Sequence, residues 1–177
     1  MDLPYDCGVE SIGKIDVARR QIIEAVRLFF EGRDPVVIHT IIASAHQVLH
    51  DLGAKTGITG AIKNTSQWDS NFPFNFFKHA DRDPEEKIYV EQLQQLTSDF
   101  IMDAIFMLQQ ISGNIPIEAK VFWSWFVSKY PDGFDNLPQD GAIAKMQKLQ
   151  LAEWDFPRIA NFLQFANIAE DIFGAKD

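Results

Sequence analysis

The chain has 177 residues, a formal net charge of -9, 46% hydrophobic residues and 23% charged ones. That is the composition of a globular domain, and it excludes disorder over most of the length. The 16 Lys and Arg against 25 Asp and Glu leave no general basic footprint for nucleic acid or anionic membrane, and the lone Cys7 excludes a disulfide framework or a cysteine zinc site.

Residues 1–13, with Pro4, Gly8 and Gly13, are expected to form an N-terminal arm ahead of a single helical domain, 14–177. The start of the chain has no basic, apolar leader pattern, and no apolar run approaches the ~20 residues of a membrane span. A cytoplasmic protein with no membrane partner is therefore expected.

The first helix is expected over 14–31. Ile15, Ala18, Ile22, Ala25, Val26 and Phe29 share one face, Arg20, Glu24, Arg27 and Glu31 the other, and Gly32 stops it. Asp34-Pro35 then starts a second helix, Asp as N-cap and Pro in the first helical position, running to about Leu52 with Gly53 at its end. Residues 53–70, with Gly53, Gly57 and Gly60, read as a loop with room for one helical turn. A short aromatic helix is expected around 71–79, after Pro73. The strongest helix covers 90–111, striped by Leu93, Leu96, Phe100, Ile101, Ala104, Leu108 and Ile111 and closed by Gly113. Pro116 opens another to Lys129, and two more are expected over 138–150 and from Asp155-Phe156-Pro157 to Gly174. No alternating β-branched runs appear. The expected fold is all-α, an irregular bundle of six to seven helices.

His39, His46 and His50 fall at i, i+7 and i+11 on the second helix, within ~40° of one another. They are expected to line a seam between the apolar arc of Ile38, Ile42, Ala45 and Leu49 and the solvent side of Thr40, Ser44, Gln47 and Asp51. Three readings stay open. The imidazoles can be structural, packed at a helix boundary. They can be catalytic, because imidazole titrates near neutrality. They can bind metal, with His46 and His50 sharing one ion and Asp99 and Asp103 as ligands from another helix. The Glu of a helical zinc-protease signature is replaced by Gln47. Arg19 lies toward the apolar side of the first helix and needs a carboxylate, for which Asp99 or Asp103 is expected.

Arg33 and His39 form Arg-x5-His with Asp34 beside the Arg. This resembles the Arg-x(4–6)-His motif of HEPN helical domains, many of which are metal-independent ribonucleases. The resemblance implies that Arg33 stabilises a phosphate while His39 handles a proton. The segment Asn75-Phe76-Phe77-Lys78-His79-Ala80-Asp81-Arg82-Asp83-Pro84 is the densest polar cluster of the chain. It resembles a stretch of bacterial helical proteins that pair it with an earlier Ile-His-Thr helix, here Ile38-His39-Thr40. That likeness, over roughly 14–130, implies a helical fold and no particular activity.

The leading expectation is a polar pocket joining the histidine stripe to 75–83. In it His39, Arg33, His79 and Lys78 are catalytic, and Asn75, Arg82, His46 and His50 hold RNA or another phosphate-containing ligand. No cofactor is expected. The alternatives are a non-catalytic protein-interaction module or homodimer, in which these residues are structural, and a metal-binding bundle using His46, His50, Asp99 and Asp103. Convergence of His79 with at least one stripe histidine on one solvent-reachable cleft separates the first two.

Overall fold

The computed structural model describes residues 11–62, 76–77, 84–85 and 87–130. It contains helices α1 (Lys14–Phe30), α2 (Pro35–Gly53), α3 (Val90–Ser112) and α4 (Ile117–Lys129), and no strand among the described residues. The fold is all-α. Most of the arm, most of the helix expected around 71–79, and the helices expected over 138–150 and from 155 onward lie outside the described residues.

Local chemistry sets the helix ends. Asp16 accepts the Gly13 N–H at 3.3 Å, closing the start of α1. Asp34 accepts the Val36 N–H at 2.8 Å, with Pro35 behind it in the first turn. Gly32 and Gly113, at φ 66° and 72°, turn the chain out of α1 and α3 in the left-handed region that disfavours a Cβ. Gly53 departs from its expected role as a stop. It is the last residue of α2, and Ala54 caps the helix. Glycine is needed there for a different reason: a Cβ at position 53 would lie 2.5 Å from the Ile58 carbonyl oxygen of the returning loop.

The expected stripes meet in one core. Ala18, Ile22, Ala25 and Val26 of α1, Ile42, Ala45 and Leu49 of α2, Ile101, Ala104, Ile105 and Leu108 of α3, and Val121 and Phe122 of α4 have no exposed surface. Phe29, Phe30, Phe122 and Trp125 close the α1–α4 side edge to face, with Phe29 and Phe122 centroids 5.2 Å apart. Arg27 meets the nearly buried Glu118 at 2.7 Å across the same pair of helices.

Cross-helix bonds fix the directions. His39 and His46 of α2 meet Thr97 and Asp103 of α3 in the same order, so these two helices run parallel. Arg27 and Phe29 of α1 meet Glu118 and Phe122 of α4 likewise. The neighbours in sequence, α1 with α2 and α3 with α4, are antiparallel, joined by short turns.

Arg19 does not find an aspartate. Its guanidinium donates to the Asn114 carbonyl at 3.4 Å and to Ser112 Oγ at 3.5 Å, at the end of α3. Asp99 and Asp103 lie further back along α3 and have other partners, and α1 runs antiparallel to that helix. The side chain remains half-buried, so it keeps water and needs no buried counter-ion. No helix among the described residues is long and apolar enough to cross a membrane.

Candidate functional site

Because α2 and α3 run parallel, the histidines spaced seven apart on α2 face Thr97 and Asp103, spaced six apart on α3. Two polar rungs result, with the Phe100 ring between them at 5.0 Å from His39 and 4.8 Å from His46.

In the first rung, His46 Nε2 donates to Asp103 Oδ2 at 2.7 Å, and both side chains are buried. The same carboxylate accepts the Ala61 N–H at 2.7 Å on Oδ1 and the Ile62 N–H at 3.4 Å on Oδ2. Three donors thus surround a carboxylate that water does not reach, as a buried acidic group requires. Gly60 makes this approach sterically feasible. A Cβ there would overlap the Asp103 carboxylate and press on Met107 Sδ. Asp103 therefore fastens the loop after α2 to the bundle.

In the second rung, His39 Nδ1 lies 3.1 Å from Thr97 Oγ1, whose own proton goes to the Leu93 carbonyl at 2.6 Å. The hydroxyl has one proton to give, so His39 is the donor from Nδ1 and carries its lone pair on Nε2. That Nε2 is buried and has no partner among the described residues. The Phe77 ring lies 5.6 Å from the imidazole on one side and Phe100 on another. Burial, reinforced by the charge of His46, lowers the His39 pKa from 6.5 to about 4. His39 is neutral near pH 7.

The stripe therefore lies deeper than a seam between core and water. His39 and His46 are 0% and 1% exposed, and only His50 is partly reachable. The reason is that α3 buries a broad face, with Thr97, Ser98 and Asp103 inside the contact alongside the apolar stripe. His50 Nδ1 is 3.6 Å from Asp51 Oδ1 and makes no hydrogen bond among the described residues. Asp99 accepts from Gln95 Nε2 at 3.1 Å, and partial burial raises its pKa. His46, His50, Asp99 and Asp103 are thus not gathered around one point, and among the described residues no three His, Cys, Asp or Glu side chains are placed to hold a metal ion.

Arg33 is exposed and pairs with Glu31 at 3.0 Å. It borders a recess of about 170 Å³ at the starting ends of α2 and α3, together with Pro35, Val90, Gln94 and Thr97. His39 reaches that recess only through Thr97 and does not line it. Asn75, Lys78, His79 and Arg82 lie outside the described residues, as do Asp81 and Asp83. Of their segment, Phe77 is placed against His39.

Three contributors escape a reading of the sequence. Thr97 is hidden in an apolar stripe, although its i+4 spacing from Leu93 and its place beside Leu96 mark an inward position. The Ala61 and Ile62 amides carry no side-chain signal. Gly60 is one of two glycines in the loop after α2, and nothing local distinguishes it from Gly57, whose φ of 77° is a turn requirement. Comparison with protein families, with curated proteins and with solved structures finds no match for this chain.

Proposed function

We propose that this chain is a non-catalytic, cytoplasmic interaction module: one bundle of six to seven helices whose stripe histidines fasten the bundle and do not act on a substrate. The supporting observation is that His39 and His46, the two side chains with the best acid–base credentials, are fully enclosed and commit their donors to Thr97 and Asp103. A general base must come within hydrogen-bond reach of its substrate, directly or through one water. Arg33 faces solvent while His39 does not, so the two do not share an open space in the manner of a phosphodiester-cleaving pair.

The interaction face in this reading is the shared starting end of α2 and α3. Val36, Val37, Tyr89 and Val90 are 42%, 51%, 73% and 58% exposed there. Pro35, Ile38 and Val90 line one recess, which brings the two helix ends side by side. Clustered exposed apolar side chains mark contact surfaces, and a second copy of the chain is the partner we assign. Light scattering across concentration tests the assignment. The wild type should dimerise and Val37→Glu should shift it to monomer; a wild type that stays monomeric throughout refutes it. Mixed RNA should survive incubation with the wild type, with and without chelator. Metal-independent cleavage lost in a folded His39→Gln variant would restore the catalytic reading.

A further inference from the structure

A second recess, of about 200 Å³, opens where the end of α4 meets α1 and the first turns of α3. Phe29, Trp125 and Tyr130 supply aromatic walls, Glu91, Gln94, Gln95 and Ser98 line it from α3, and Lys129 adds a cation. The Trp125 ring stands 5.1 Å from Phe29 and 6.5 Å from Tyr130, edge to face with both. Tyr130 is pinned from behind, because its hydroxyl donates to Gln95 Oε1 at 2.7 Å, while Gln95 Nε2 donates to Asp99.

An ammonium borders the recess. Lys129 Nζ lies 4.8 Å from the Trp125 ring centroid and 5.8 Å from that of Tyr130. Both distances fall within the range where the negative face of an aromatic ring attracts a cation. Among the described residues this ammonium makes no hydrogen bond or ion pair, and neither do the Glu91 carboxylate and the Gln94 amide. The rings thus offer a cation their faces, while none of the polar groups around the recess accepts a hydrogen bond from the Lys129 ammonium. The Lys129 ammonium leaves its donors to water in this arrangement. A quaternary ammonium has no donor to satisfy and presents methyl groups to the rings, so it suits the recess better. Lys129 Nζ already stands over the Trp125 ring, so a cation at that face takes the place of Lys129. The net charge of -9 and the Glu91 carboxylate at the rim favour a positive ligand.

We propose that this recess binds a small quaternary-ammonium ligand of the choline type, and that Lys129 is an intramolecular occupant which the ligand displaces. This goes beyond the interaction-module reading and does not depend on it.

The test is titration of the full chain with choline, followed through the indole N–H resonance of Trp125. Lys129→Gln should bind choline about fivefold or more tightly than the wild type, within the range of a single cation–π contact. Lys55→Gln removes an equal charge from an exposed site outside the recess lining and should bind like the wild type. Glu91→Gln and Tyr130→Ala, both outside the core, should weaken binding, and ethanolamine should bind less tightly than choline. Absence of saturable binding by Lys129→Gln would overturn the proposal. So would an equal gain in Lys55→Gln, which would show bulk electrostatics alone, or binding unchanged in Tyr130→Ala.

Discussion

Acidification should destabilise this protein through His39, by an amount that its burial sets. The imidazole titrates at about 4 in the folded chain against 6.5 unperturbed. As the pH falls below the higher value, the unfolded chain takes up a proton that the native state refuses. Stability is fully present above about pH 6.5, is lost progressively down to about pH 4, and falls no further from this group below that. At ~1.4 kcal/mol per pH unit of separation, the full loss is about 3 kcal/mol, of which roughly 2 to 3 kcal/mol is already felt near pH 4.5. The 25 carboxylates also respond to pH, so the informative quantity is a difference between variants. Urea unfolding of the wild type and of His39→Gln should be compared near pH 7 and near pH 4.5. Gln retains an amide donor for Thr97 and does not titrate. The wild type should lose about 2 to 3 kcal/mol more than the variant on acidification. Parallel losses would refute the argument, because they would mean that His39 is solvated in the native state and accepts its proton as readily as in the unfolded chain.

Other substitutions probe the same rungs. Thr97→Val leaves the His39 Nδ1–H without an acceptor and should cost about 1 to 3 kcal/mol, whereas Thr97→Ser should cost clearly less by the same urea measurement. Asp103→Ala orphans His46 and two backbone amides at once and should destabilise by about 3 to 5 kcal/mol. Its local signature is fast hydrogen exchange at Ala61 and Ile62. Gly60→Ala should release that loop too, since its methyl group and the Asp103 carboxylate compete for one position. Thermal melts should place Gly60→Ala well below Gly57→Ser, which has open space around it and only the backbone strain of a positive φ.

The helices are legible in the sequence because their signals are local. Asp34-Pro35 writes the start of α2 and Gly113 the end of α3, and the apolar spacing of Ala18, Ile22, Ala25 and Val26 states which face of α1 is buried. The alignment of His39 and His46 on one face of α2 is legible in the same way. Their depth is not. It depends on how broad a face α3 brings to α2, a property of two segments whose partners are 57 and 58 residues apart. Asp103 is readable as an inward carboxylate, and metal ligation is one fair expectation for it. Its real neighbours include main-chain amides, which every residue but proline possesses and no motif records. Arg19 illustrates the opposite error. Charge pairing points to an aspartate, but antiparallel packing of α1 on α3 sets it beside Ser112 and Asn114 instead.

The parallel pairing of α2 with α3 also bears on how the chain reaches this structure. The α1–α2 contact between Gln21 and Ser44 spans 23 residues and can form as an early helical hairpin. The His46–Asp103 contact closes 57 residues, because α3 begins beside the start of α2 and not beside its end. By the logarithmic growth of loop-closure entropy, that longer closure costs only about 1 kcal/mol more. Its effect on rate is larger, since no contact between α2 and α3 repays the closure until α3 has docked in register. Folding should therefore proceed from an α1–α2 hairpin to a late α3 docking step. The buried rungs would form after the barrier, and their removal would mainly speed unfolding.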